Sequence, residues 1–160
     1  MVSLNFLEKS EIFKGLDSEQ IEEIHQYCNI KEFRRGDMIF AEGSDATHLC
    51  IVLEGQVELR FDLPGHPTSD TNTISSIPEG KAFLWSSLVA PHKSRLSSYC
   101  VSRTCKIIMV DRASLLSFFE KDTKAGYIMM SNLASVVASR FYKLQDEIIK
   151  HRGYETMFSW

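Results

Sequence analysis

The stretch that decides the fold reads Gly80-Lys81-Ala82-Phe83-Leu84-Trp85-Ser86-Ser87-Leu88, and Arg95-Leu96-Ser97-Ser98 follows it after a short loop. Short strand-like runs punctuated by glycines precede this stretch, and one long helical pattern follows it. Glycine adopts positive φ at no steric cost, so each glycine marks a corner of the chain. The sequence therefore predicts a series of tight β-turns that ends in a helix.

The segment before Gly80 carries the β pattern. Turns at Arg35-Gly36-Asp37, Glu42-Gly43 and Glu54-Gly55 separate runs that alternate in polarity or are continuously apolar. Further runs at 73–77, 97–101 and 105–110 bring the total to about eight short strands. We therefore predict a mainly β fold with flanking helices, in which a double-stranded β-helix (jelly-roll) barrel occupies about 29–110.

Helical patterns flank the strands on both sides. Asp17 and Gln20 have the spacing of a capping box, and Asp111 precedes a second helical pattern. From Asp122, apolar residues recur at a spacing of three to four over about 27 residues, which corresponds to a helix of about 40 Å. We predict C-terminal helices over about 112–150.

The apolar stripe of the last helix is longer than a small barrel can cover. A stripe of this length is typical of a two-stranded coil between subunits, so we predict a homodimer. The alternative is a helix that folds back onto its own barrel. The residues predicted to form the dimer helix are Leu133, Val137, Leu144 and Ile148.

The composition predicts one cytoplasmic domain over 1–160. The chain is 44% apolar, which is sufficient for a core, and its net charge of -3 is scattered, which disfavours direct DNA binding. No run of about 18 apolar residues indicates a membrane span, and charges interrupt any signal-peptide core. The four cysteines lack a Cys-x-x-Cys pair and the five histidines are dispersed, so we expect reduced core cysteines and no metal site.

Together these residues resemble the cyclic-nucleotide-binding domain of the catabolite-activator and fumarate-nitrate-regulator family, over about 4–150. The resemblance implies a stand-alone domain with a phosphate-binding cassette. The N–H groups of Leu84, Trp85 and Ser86 and the guanidinium of Arg95 would hold an anion. The implied ligand-binding residues are Gly80, Lys81, Leu84, Trp85, Ser86, Arg95, Leu96 and Ser97, with Gln145 as a contact for the base across the dimer.

Three residues depart from the family pattern. Lys81 follows the cassette glycine where the family has a glutamate that binds the ribose, Leu84 replaces glycine or alanine, and Leu96 replaces a small hydroxyl residue. Lys81 and Arg95 would make the pocket more cationic, which suits an organic acid or an anion with more charge than a cyclic monophosphate. In the alternative, Lys81 points to solvent, Trp85 is a core aromatic and Gln145 is an ordinary exposed residue.

We therefore predict a small-ligand sensor with a degenerate cassette that does not bind cyclic AMP tightly. A small anionic ligand and a protein effector are the expected partners, and no cofactor is expected. No His-x-His pair or Gly-x-Ser-x-Gly elbow indicates an enzyme. Two alternatives stay open: a ligand-free dimerisation or protein-interaction module, and a haem or redox sensor that uses His92 or a cysteine.

Overall fold

The computed structural model describes residues 2–158, with only the backbone of Phe158. Its helices are α1 (Leu4–Lys9), α2 (Ser18–His25), α3 (Arg112–Lys121) and α4 (Thr123–Phe158). Its strands are β1 (Cys28–Arg34), β2 (Met38–Phe40), β3 (His48–Glu54), β4 (Val57–Arg60), β5 (Thr73–Ile77), β6 (Ala82–Phe83), β7 (Ser97–Cys100) and β8 (Thr104–Asp111).

The strands form two antiparallel sheets of four. Sheet 1 has the order β1-β8-β3-β6, and sheet 2 has the order β2-β7-β4-β5. The prediction of a mainly β jelly-roll of about eight strands with a long C-terminal helix is confirmed. The sheets are separate, however, so the architecture is an open two-sheet roll rather than a closed barrel. Strand β6, which lies within the cassette, is at an edge of sheet 1.

Two apolar clusters cover the two faces of sheet 1. Leu49 and Ile51 of β3 pack with residues of the helices, whereas Cys50 and Val52 pack with residues from sheet 2. All four side chains are fully buried. Successive side chains of a strand point to opposite faces, so the continuous apolar run in β3 is what a central strand requires when both faces are covered.

The predicted helix starts are confirmed. Asp17 accepts a hydrogen bond from the Gln20 N–H at 2.9 Å, and the Gln20 side chain accepts one from the Asp17 N–H at 3.0 Å. Asp111 accepts from the Ser114 N–H at 2.8 Å at the start of α3. These bonds satisfy N–H groups that lack partners within the first helical turn.

Helix α4 has a buried half and an exposed half. It continues to Phe158, beyond the predicted end near 150. Leu133 is only 2% exposed and belongs to the protein's own core. The predicted dimer seam is therefore corrected at Leu133, because the first turns of α4 pack against the body of the domain. Within residues 2–158, no helix is long and apolar enough to cross a membrane.

Gly55 allows a test of the turn between β3 and β4. Its φ is +89°, and a Cβ atom there would lie 2.4 Å from the Ser102 Oγ and 2.5 Å from the Thr104 carbonyl oxygen. Gly36 has a similar φ of +90° but open space around it. We expect Gly36→Ala to lower the free energy of unfolding by about 1 kcal/mol, the cost of left-handed backbone. Gly55→Ala should lower it by about 3 kcal/mol because a steric clash is added.

Urea unfolding of both variants measures the difference. Equal losses for the two substitutions would contradict the close backbone approach at Gly55.

Candidate functional site

The cassette begins with a sharp turn at Leu84. Leu84 adopts the left-handed conformation, with φ 57° and ψ 35°, and leads from β6 into the 3-10 turn Trp85–Ser87. The Ser87 N–H donates to the Leu84 carbonyl at 3.0 Å. Left-handed backbone is unfavourable for a leucine, but the Leu84 side chain is buried in the cluster between the two sheets. Core packing therefore holds a turn that glycine would adopt without strain.

No carboxylate stands at the position of the ribose-binding acid. Lys81 follows Gly80, and its Nζ lies 2.7 Å from the Glu11 Oε2. The residue that follows the left-handed Leu84 is Trp85, which is half-buried. Neither Lys81 nor Trp85 is a carboxylate, so neither supplies the ribose-binding acid that the family resemblance implies.

A cavity of about 390 Å³ lies between sheet 2 and α4. Leu59 of β4 and Ile77 of β5 form one side, and Val136 and Leu144 of α4 form the other. Trp85 of the cassette also lines it. Cavities of this volume with mostly apolar walls are typical of small-molecule sites in proteins.

The charged lining of the cavity comes from three parts of the chain. Glu11 precedes α2, Lys81 comes from the cassette, and Arg140, Lys143 and Glu147 come from α4. Three cations and two carboxylates give the lining a formal charge of +1. Such a lining favours an anionic ligand over a cationic one.

Arg140 and Glu11 form hydrogen bonds with the backbone of β6 on the side where this edge strand has no neighbouring strand. The Arg140 Nη2 donates to the Ala82 carbonyl, and the Glu11 Oε1 accepts from the Ala82 N–H at 3.2 Å. The Arg140 Nη1 is buried and has no hydrogen-bond partner within residues 2–158. Burial lowers the pKa of the Arg140 guanidinium, and the nearby Glu11 carboxylate partly opposes this shift. Arginine remains charged at neutral pH, so the cavity contains an incompletely compensated cation.

Several predicted site residues lie away from this cavity. Arg95 lies in a bend before β7, is exposed and does not line the cavity, whereas the next residue, Leu96, does. Ser97 is buried, and its hydroxyl donates to the Asp62 carboxylate. Gln145 is exposed and is absent from the cavity wall.

Two other predicted site residues, Gly80 and Ser86, belong to the cassette but do not line the cavity. The Gly80 N–H donates to the Val52 carbonyl at 2.8 Å, and Ser86 is half-buried in the 3-10 turn. The structure therefore brings Lys81, Trp85 and Leu96 to the cavity. It also adds Glu11, Arg140 and Lys143, which the sequence analysis missed. The available signal was a charged residue, Arg140, within an apolar helical stripe.

His92 and the cysteines, the residues considered as haem ligands, lie in surroundings formed by the protein itself. The His92 Nδ1 lies 2.9 Å from the Ser87 carbonyl oxygen. Cys50 is fully buried, which raises the pKa of its thiol. Within residues 2–158, no three His, Cys, Asp or Glu side chains are grouped so that they could hold a metal ion.

Two substitutions at Leu84 test whether this residue adopts the left-handed backbone conformation. Leu84→Ala and Leu84→Gly both remove the buried side chain, so they share the cost of the resulting cavity. Glycine alone removes the penalty of left-handed backbone. We expect the glycine variant to be more stable than the alanine variant by about 1 kcal/mol, the reverse of the order in ordinary helices and strands. Thermal unfolding of the pair measures this, and a more stable alanine variant would contradict the conformation of Leu84.

Comparisons with known proteins agree with the fold. The family model described as "Cyclic nucleotide-binding domain" matches residues 30–122. A candidate cyclic nucleotide-binding protein from Geobacter metallireducens is 29% identical with a TM-score of 0.76, and the match covers 88% of this chain and 99% of that one. No curated protein matches the sequence.

Two further solved structures are similar at lower identity. A cyclic nucleotide-binding domain from Methylobacillus flagellatus is 20% identical with a TM-score of 0.75, and the match covers 92% of this chain and 81% of that one. The Catabolite Activator Protein of Thermus thermophilus is 22% identical with a TM-score of 0.69, and the match covers 89% of this chain and 63% of that one. With the family model matching more than half of its length, this chain belongs to the cyclic nucleotide-binding domain family.

Proposed function

We propose that this domain senses an anionic small molecule that binds in the cavity between sheet 2 and α4. The observation that carries the proposal is the cavity itself, which has a volume of about 390 Å³ and is lined by both the cassette and α4. Family membership supports a ligand-sensing role. The domain is proposed to bind its ligand without transforming it.

The proposed ligand combines an anionic group with an apolar or aromatic body. Trp85, Leu59 and Leu144 offer apolar surface, and Trp85 offers an aromatic face for stacking. Arg140 and Lys143 offer positive charge on the α4 side. An organic acid or a phosphate ester carries both features.

Cyclic AMP is proposed to be a weak ligand. Lys81, not an acid, follows Gly80 where the family resemblance implies an acceptor for the ribose hydroxyl, and Arg95 lies outside the cavity. Unpaired polar groups on a bound ligand cost about 1–3 kcal/mol each, which corresponds to a loss of roughly 5- to 150-fold in affinity.

The proposed response is a change in the position of α4. Val136, Arg140 and Leu144 face the cavity from this helix. A ligand shifts an equilibrium between two helix arrangements only if it binds them with different affinity. A ligand that contacts both α4 and the cassette binds the two helix arrangements with different affinity. A protein effector would then recognise the position of the exposed half of the helix.

Hydrogen exchange tests the sensor proposal. We expect at least one of cyclic AMP, AMP, ATP and citrate to change the protection of residues 133–148, with cyclic AMP the weakest nucleotide. Ser139→Trp should abolish the effect, because Ser139 lines the cavity and an indole would fill it. Ser135→Trp is the matched control, since Ser135 is exposed one turn earlier and does not line the cavity. No change with any probe would instead favour the ligand-free interaction module.

We also propose that the exposed half of α4 pairs with a second copy. Val137, Phe141, Leu144 and Ile148 are spaced by four, three and four residues, which is the heptad spacing of a coiled-coil seam. Phe141 and Ile148 are 56% and 55% exposed. Exposed apolar patches on soluble proteins usually mark an interaction surface. In such a dimer Gln145 would lie beside the seam.

Light scattering tests the dimer. Ile148→Glu should shift the protein towards monomer, because two carboxylates would meet in an apolar seam. Ile149→Glu is the matched control: Ile149 is 67% exposed but lies about 100° away around the helix. Equal effects of the two substitutions, or a monomeric unmodified protein at tens of micromolar, would contradict this seam.

A further inference from the structure

We infer that Arg140 of α4 is the residue that binds the anionic group of the ligand, the role that the family resemblance gives to Arg95. This inference rests on the proposed sensor function and identifies the residue that holds the charge in that site. The group that Arg140 would bind is a carboxylate or a phosphate.

Arg140 lines the cavity and forms no ion pair among the described residues. Its Nη2 donates to the Ala82 carbonyl, which fixes the guanidinium against the cassette. Its Nη1 is buried without a partner in the described part of the chain. A buried donor that stays unpaired is costly, and the cost disappears when an acceptor arrives. An anionic oxygen would supply that acceptor once a small rotation of the guanidinium opens Nη1 to the cavity that Arg140 lines.

The nearby carboxylate of Glu11 does not pair with the Arg140 guanidinium. Glu11 is already shared between the Lys81 ammonium, at 2.7 Å, and the Ala82 N–H, at 3.2 Å. Arg140 and Glu11 form no ion pair, and burial lowers the pKa of Arg140 although the Glu11 carboxylate opposes this shift. Lys143, three residues further along α4, adds positive charge to the same cavity, and with Glu147 one turn beyond it the lining keeps a formal charge of +1. The local field therefore favours an anion next to Arg140.

Arg95 lacks the placement that this role needs. Its side chain is exposed in the bend before β7, and only its neighbour Leu96 reaches the cavity wall. A charge pair between exposed groups contributes little, whereas a charge-assisted hydrogen bond in a cavity is strong and directional. Because Arg140 belongs to α4 and touches the cassette, an anion bound to it would connect these two elements directly.

Fluorescence of Trp85 provides the binding assay. Trp85 lines the cavity, and the chain has only two tryptophans, so Trp160→Phe leaves Trp85 as the single reporter. In that background, cyclic AMP, AMP, ATP and citrate are titrated, and calorimetry repeats each titration that gives a signal. The nucleotides and citrate distinguish a phosphate ligand from a carboxylate ligand.

Three substitutions to glutamine are then compared with the probe that binds. Arg140→Gln should weaken binding by about 10- to 100-fold, the expected loss for a charge-assisted hydrogen bond. Arg95→Gln should change it less than about threefold, as expected for an exposed charge. Arg103→Gln, which alters another exposed arginine, is the control. Arg140→Lys keeps the charge but loses the planar fork, so it should bind with intermediate affinity.

The outcomes separate this inference from the proposed function. If no probe binds the parent protein, the sensor proposal fails and the role of Arg140 fails with it. If a probe binds and Arg140→Gln and Arg140→Lys both bind it as well as the parent does, the role of Arg140 alone is overturned. A large loss at Arg95→Gln would also overturn it in favour of the cassette arginine. Arg140→Lys keeps the comparison valid if the glutamine variant does not fold.

Discussion

The open edge of β6 is the constraint on which the site depends. Val52 of β3 bonds to the Gly80 N–H and the Lys81 carbonyl, so the N–H and carbonyl of Ala82 face away from the sheet. Unpaired backbone groups at a buried edge are costly. Glu11 accepts from one and Arg140 donates to the other. Two side chains therefore replace the missing neighbouring strand, and they attach both the segment before α2 and helix α4 to the cassette.

This arrangement leaves a cluster with more cationic than anionic groups. Glu11 contacts Lys81 directly and only partly offsets the burial of Arg140. Arg140 forms no ion pair among the described residues, and its buried Nη1 has no hydrogen-bond partner there. The cluster thus holds α4 against the cassette while retaining free capacity for an anion. In the proposed site, the guanidinium that holds α4 against the cassette would also bind the ligand.

Local rules predicted the fold better than they predicted the site. The apolar run of β3, the glycine corners and the caps at Asp17 and Asp111 act over a few residues, so they can be identified in the sequence. The contact between Arg140 and Ala82 depends on tertiary packing and has no local signal. Leu133 was misassigned for a similar reason: an apolar stripe has the same period whether it covers the protein's own core or a partner.

Arg140 stands where α4 leaves the body of the domain. Ala125, Met129, Leu133 and Val136 are buried before it, whereas residues 141–157 are exposed. The segment from Phe141 to Phe158 would extend about 27 Å beyond this point at 1.5 Å per residue. A small change in direction at Arg140 therefore produces a large displacement at the far end of the helix. In the proposed sensor, an anion that alters the contact between Arg140 and Ala82 would therefore act where α4 leaves the packed body, and a packed interior transmits such a change instead of absorbing it.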